Sequence, residues 1–250
     1  MKKILKISSA IIFLVLGLSM FIYPYYTDKE YKNNVSKKEK EYTEYIDSIN
    51  EIINNGISAS SIHEETSSNI TNTYNKFNEL YELLKARNEK LYQTKQNEFI
   101  YNTNYEVNDI ILSNYGLKYN IFGYIELPSI GITLPIYLGA TNSNMKLGAV
   151  HLTGTSYPIG GINTNSVIAA HRGYHRTKMF RDIDKINIGD SLYIKNFTGT
   201  LTYKAVKTDV IDKKGISNLT IEEGRDMITI ISCHPYPFNY QRYVVYFERA

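Results

Sequence analysis

The sequence predicts a mainly β domain, a barrel or a sandwich with short helices, behind an α-helical N-terminal segment and a transmembrane helix. Three observations carry that expectation. Residues 7–27 are uncharged with a strongly apolar centre, and between Asp28 and about Asn104 there is no proline while apolar residues recur three and four apart. From about Tyr119 onward, short apolar or alternating runs are punctuated by glycine, proline and asparagine. The expected divisions are therefore residues 1–27, 28–118 and 119–250.

The first division reads as a signal anchor. Lys2, Lys3 and Lys6 precede the apolar run from Ile7 to Thr27, which has about the 20 residues needed to span a hydrocarbon core. Basic residues on its N-terminal side favour a cytoplasmic start and an exported remainder. A cleaved signal peptide would end in small residues. This run ends in Met20-Phe-Ile-Tyr-Pro-Tyr-Tyr26, whose aromatics suit a membrane interface.

The second division reads as a helical hairpin or stalk. Ile70, Tyr74, Phe77, Tyr81, Leu84, Asn88 and Leu91 follow steps of four and three, and Tyr42, Ile46, Ile49 and Ile53 do the same before Asn54-Asn55-Gly56. Disordered linker is the competing expectation for residues 28–60, which are rich in lysine, glutamate, asparagine and serine.

In the third division seven runs read as strands: 121–127, 132–138, 166–170, 191–197, 201–211, 227–232 and 242–247. Met179, Phe180, Ile183 and Ile186 make one helical face before the turn at Gly189-Asp190. A formal charge of +3 on 250 residues gives no electrostatic reason to expect a nucleic-acid partner. One cysteine allows no internal disulfide, so cysteine usage does not report a redox compartment.

That cysteine, Cys233, ends the run Met227-Ile-Thr-Ile-Ile-Ser-Cys233 and is followed by His234 and Pro235-Tyr-Pro237. A lone cysteine is most often a small buried hydrophobe. Here the prolines force the chain out of a strand directly after the sulfur, among polar neighbours. His171 follows a second apolar run, 166–170, and Arg242 lies nine residues beyond Cys233, where a returning strand would bring it back to the sulfur. Alone, the histidine and the arginine read as ordinary core or surface residues. Together the three outline a thiol nucleophile with its helpers.

His171, Ile230-Ile-Ser-Cys233 and Arg242, in that order and spacing, make residues 121–248 resemble sortases, the membrane-anchored cysteine transpeptidases of Gram-positive cell surfaces. Gly154-Thr-Ser-Tyr-Pro-Ile-Gly-Gly161, His171-Arg-Gly173 and Lys178-Met-Phe-Arg-Asp-Ile-Asp-Lys185 look like the pilin-polymerising class C. So do Gly123-Tyr-Ile-Glu-Leu-Pro128 and Leu134-Pro-Ile-Tyr137. The Asp-Pro-aromatic lid tripeptide usual in that class is missing, as is an apolar C-terminal run. With no lid, either the groove is open and Cys233 reacts freely with a small thiol reagent, or the N-terminal helices cover the site instead, and the sequence leaves both open.

The resemblance implies a closed barrel of about eight strands and an enzyme of the cell membrane, single-pass, with its catalytic domain outside. It implies Cys233 as nucleophile, His171 as general acid and base, and Arg242 as oxyanion or substrate donor. Its partners would be Leu-Pro-x-Thr-Gly-like sorting signals and an amine, either a pilin lysine or a lipid-linked peptidoglycan precursor. Alternatives are housekeeping attachment of single proteins to the wall, a thiol peptidase that releases its product to water, and an inactive surface-binding module. No metal or other cofactor is expected. His171 and His175 stand four apart near Cys233 and His234, but the segment reads as a strand exit and lacks the glutamate of H-E-x-x-H. No dense acidic loop for calcium appears between Gly139 and Asn165. His63 and His151 read as surface histidines.

Overall fold

The computed structural model describes residues 2–54, 64–97, 99, 105–174 and 177–250. Eight strands close into a barrel: β1 Gly123–Leu127, β2 Ile132–Leu138, β3 Ala149–His151, β4 Thr164–Ala169, β5 Ser191–Asn196, β6 Gly199–Asp212, β7 Asp226–His234 and β8 Gln241–Arg249. Their order around the barrel is β1-β2-β3-β4-β7-β8-β6-β5. Closure leaves no unpaired edge, which removes the aggregation hazard of an open sheet. Two contacts are parallel, β2 with β3 and β4 with β7, and the rest are antiparallel.

The seven expected strands are present, and β3 is added to them. At three residues it is too short to show any period, and it forms because its backbone pairs with Ile136–Leu138 on one side and Ile168–Ala169 on the other. The helix expected around Met179–Ile186 is instead a single 3-10 turn at Ile183–Lys185. Met179, Phe180, Ile183 and Ile186 are buried there nonetheless. The apolar spacing correctly marked what is inside, while the chain was too short to build more than one turn.

Two long helices precede the barrel, α1 Lys2–Asn54 and α2 Glu64–Gln93. The turn expected at Asn54-Asn55-Gly56, and His63, fall largely or wholly outside the described residues. Both helices lie along the barrel and share its core. Val35, Tyr42, Ile46 and Ile49 of α1 and Phe77, Leu80 and Leu84 of α2 are buried in one cluster with the strands. Each such side chain contributes about 1.5–3 kcal/mol of burial. Polar contacts fix the register of the packing. The Tyr42 hydroxyl donates to the Phe122 carbonyl at 2.9 Å, and Lys195 of β5 is bracketed by Glu39 at 2.7 Å and Glu126 at 2.8 Å. Toward its N-terminus α1 leaves the barrel. Between Ile12 and Tyr26 the large apolar side chains that are described are exposed. Among the described residues no helix is long and apolar enough to cross a membrane. The expected span begins at Ile7, and its first five side chains lie outside the described ones.

Asn88 explains a polar residue on an otherwise apolar helical face. Its side-chain amide donates to the Tyr157 carbonyl at 3.2 Å and its oxygen accepts from the Tyr157 amide at 2.8 Å, so it pairs with the loop as a strand would. Replacing it by leucine keeps the volume and strands two buried backbone groups, each worth about 1–3 kcal/mol. Denaturant unfolding of Asn88→Leu should show a loss of that order with an unchanged m-value. Wild-type stability would mean that Tyr157 finds other partners.

Candidate active site

The parallel pairing of β4 and β7 sets Ala169 opposite Ile231. Two residues further along each chain, at the same end of the barrel, come His171 and Cys233. β8 returns antiparallel beside β7 and places Arg242 directly opposite Cys233. Opposed residues on adjacent antiparallel strands hold their Cβ atoms about 4.5–5.5 Å apart. The three expected residues, far apart in sequence, therefore meet at one rim of the barrel.

Strand alternation decides which way the sulfur points. Ser232 is buried, and its hydroxyl donates to the Ala170 carbonyl at 2.8 Å. The next side chain, that of Cys233, turns to the other face and is partly exposed, as a free thiol. β7 runs on through His234, so Cys233 is held inside the ladder as its penultimate residue.

His171 is fixed by its backbone and its ring. Its carbonyl accepts from the Phe180 amide at 3.0 Å, and the imidazole stacks on Tyr174 at 4.8 Å with an interplanar angle of 13°. Burial lowers its pKa below the usual histidine value, which favours a neutral ring at pH 7. The guanidinium of Arg242 donates through Nη1 to the carbonyls of Asn239 at 3.0 Å and Gln241 at 2.8 Å. Its head is thereby held at the start of β8, next to the sulfur's strand.

A fourth residue, to which the sequence reading assigned no role, ties this rim together. Arg172 is buried, and its Nε donates to the Arg181 carbonyl at 3.1 Å. Nη1 reaches the Cys233 carbonyl at 3.2 Å and His234 Nδ1 at 2.8 Å, while Nη2 pairs with the Asp184 carboxylate at 2.5 Å. Tyr243 lies under the guanidinium at 5.9 Å. Arginine has no acceptor, so in this short contact Nδ1 of His234 is the accepting atom. One side chain thus links the loop after β4, the 3-10 turn and the end of β7. A usable signal was present: an arginine directly after the candidate base must either face water or find an anion, and Asp184 follows within the same loop. The adjoining Gly173 has φ +92°, and a Cβ there would lie 3.1 Å from the Arg181 guanidinium, so the turn beside Arg172 requires glycine.

The remaining histidines separate clearly. His151 is buried, not on the surface as its sequence suggested. It stacks on Tyr157 at 4.9 Å, and its Nε2 lies 3.1–3.2 Å from Thr155 and Ser156 acceptors. Burial lowers its pKa to about 4, so it works as a neutral structural donor. Among the described residues no group of three or more His, Cys, Asp or Glu is arranged to hold a metal. His175, one of the ligands weighed for zinc, lies outside them.

Comparison with known proteins gives this rim a context. A family model described as "Sortase domain" matches residues 125–250, half of the chain. Sortase D of Bacillus subtilis is 30% identical over 133 residues, covering 51% of this chain and 63% of the relative's length. Sortase A of Bacillus anthracis is 26% identical over 163 residues, covering 62% of this chain and 72% of the relative. Among solved structures, Sortase C1 of GBS Pilus Island 1 superposes with a TM-score of 0.64 at 30% identity, covering 70% of this chain and 89% of that one. The Group B Streptococcus Pilus Island 1 Sortase C2 gives a TM-score of 0.55 at 31% identity, covering 66% and 98%. The structural neighbours are class C sortases, and the chain itself belongs to the sortase family.

Proposed function

We propose that this chain is a membrane-anchored transpeptidase that cuts a Leu-Pro-x-Thr-Gly-like sorting signal between threonine and glycine and joins the threonine to an amine. The observation that carries the reading is the register that sets Cys233 opposite Arg242, at the end of the barrel to which β4 also brings His171. Cys233 passes its proton to His171 as the sulfur attacks the threonine carbonyl carbon, and the oxygen gains the negative charge. Arg242 donates to that oxyanion or to the substrate backbone with the fork of donors that a lysine would lack. The carbon–nitrogen bond breaks, and His171 protonates the departing glycine amine, leaving a thioester. The incoming amine attacks the thioester, gives its proton to His171, and expels the thiolate.

The similarity to the Pilus Island 1 sortases C1 and C2 favours a pilin lysine as the amine and pilus assembly as the setting. A lipid-linked peptidoglycan amine, and hence attachment of single proteins, is the alternative acceptor. Residues 1–27 supply the anchor in this reading. The lysines before Ile7 keep the start inside, and the large apolar side chains described between Ile12 and Tyr26 are exposed. Residues 28–118 brace the catalytic domain, 119–250, which faces the extracellular side of a Gram-positive membrane.

Three measurements follow from these roles. Wild-type protein given a sorting-signal peptide and an added amine should yield the amine-linked product by mass spectrometry, and Cys233→Ala should yield none. Product formation by the variant would sink the proposal, and a hydrolysed acid unaffected by added amine would convert it to a peptidase.

The second concerns His171. In the Cys233→Ala background, which removes the neighbouring thiol, imidazole titration by NMR should give a pKa below about 6.5. The neutral form is the favoured one in the folded state, so protonation as pH falls through that lowered value also costs stability. A value at or above the free-histidine one would remove burial as the controlling influence.

The third concerns Arg172. Lysine keeps the charge and loses the fork, so Arg172→Lys should lower kcat by about tenfold or more, equivalent to about 1.4 kcal/mol. KM should change little, because the lost contacts lie behind the sulfur and not on the substrate. An unchanged kcat would show that the Cys233 carbonyl needs no such anchor.

A further inference from the structure

The loop joining β7 to β8, residues 235–240, contains three exposed aromatic side chains in six positions: Tyr236 at 54%, Phe238 at 64% and Tyr240 at 61% exposure. Nothing in the proposed chemistry uses them. Grouped exposed aromatics of this size mark a surface meant to be covered.

Contacts between α1 and the loops at the catalytic rim point to the covering medium. The aromatic stretch of α1, with Tyr23, Tyr25 and Tyr26 all exposed, ends two residues before Asp28. Asp28 then accepts a hydrogen bond from the Lys178 backbone amide at 3.0 Å, in the loop that follows His171. One turn on, the Tyr31 hydroxyl donates to the Leu147 carbonyl at 3.0 Å, just before β3. Three residues past Lys178, the Arg181 guanidinium covers the Tyr236 ring at 5.8 Å. The chain Asp28–Lys178–Arg181–Tyr236 thus connects the outer end of the apolar helix to the aromatic loop. With a rise of 1.5 Å per residue, Asp28 sits only about 3 Å along the axis from Tyr26. The catalytic rim and an interfacial aromatic belt are therefore close to the same height.

We propose that Tyr236, Phe238 and Tyr240 insert into the outer lipid interface, so that the catalytic rim rests on the bilayer beside its own anchor. Amphipathic rings prefer this layer, where the apolar body leaves water and a phenolic hydroxyl stays hydrated. Arg181 lies against the Tyr236 ring with charge suited to lipid phosphates. The inference rests on the anchoring reading and goes beyond it, since an anchored barrel could equally stand clear of the lipid.

The chain contains no tryptophan, so a single introduced indole reports from one place. Full-length protein carrying Phe238→Trp, Leu16→Trp or Ile162→Trp would be reconstituted in phosphatidylcholine–phosphatidylglycerol vesicles, with and without brominated acyl chains. Ile162 is 66% exposed and lies beyond the opposite end of β4 from His171, about 20 Å away along that strand. The expected result is lost and blue-shifted emission for Phe238→Trp in brominated vesicles, the same for Leu16→Trp, and no change for Ile162→Trp. Quenching at Leu16 without quenching at Phe238 overturns the docking and leaves the anchor standing. No quenching at Leu16 overturns the anchor and the docking with it. An indole at 238 that ignores bromine and shifts only when sorting-signal peptide is added would assign the loop to peptide instead, and would equally overturn the proposal.

Discussion

The register of β7 between a parallel and an antiparallel neighbour is the constraint on which the candidate site depends. A slip of one residue would turn Cys233 to the buried face and bring Ser232 to the rim. Hydrophobicity alone specifies this register weakly, because the first seven residues of β7 are all buried, on both faces. Polar residues break the tie. Asp226 accepts from the Gly161 amide at 2.9 Å and the Tyr203 hydroxyl at 2.9 Å, Thr229 donates to Asn165 at 2.8 Å, and Ser232 donates to Ala170. A slip would strand several buried polar groups at once, each costing about 1–3 kcal/mol, which exceeds any difference between one isoleucine face and the other.

The same logic accounts for Arg172. A buried guanidinium is tolerated only when its donors are used and its charge is met. Here Nε and both terminal nitrogens have partners, and Asp184, less buried than the arginine, supplies the anion. The desolvation cost is thereby shared with a carboxylate still partly in water. What the arrangement yields is position: the backbone of the sulfur's own residue and the ring of the next one are fixed by a side chain adjacent to the proposed base. The proposed base and the proposed nucleophile are thereby linked through Arg172, which follows the first in sequence and bonds to the backbone carbonyl of the second.

Much of this was legible in the chain before folding. Period-two and apolar runs marked seven strands because those strands are long enough to show a pattern, and the helical faces of α1 and α2 followed from steps of three and four. β3 escaped because pairing, not composition, makes Ala149–His151 a strand. The 3-10 turn at Ile183–Lys185 was misjudged as helix because apolar spacing reports which side is buried and says little about how many turns form. His151 was misjudged because a histidine in a short strand looks the same whether its ring meets water or a pair of carbonyls. Cys233, His171 and Arg242 could be singled out by type and spacing, whereas Arg172 needed its distant partners to be seen.

How the long helix serves the rim follows from its continuity. α1 carries its buried residues Val35 through Ile49 against the barrel and continues unbroken to Asp28 and the exposed apolar stretch before it. A continuous helix transmits rotation as well as height: each residue contributes 1.5 Å and about 100°. The contacts of Tyr42 with Phe122 and of Asp28 with Lys178 are 14 residues apart on α1, close to four full turns, so both fall on one face and grip the barrel from the same side. On the proposed anchoring, that common face decides which side of the barrel looks back toward the lipid. It is the side bearing the loop after β4, and therefore the side on which Cys233, His171 and Arg242 meet.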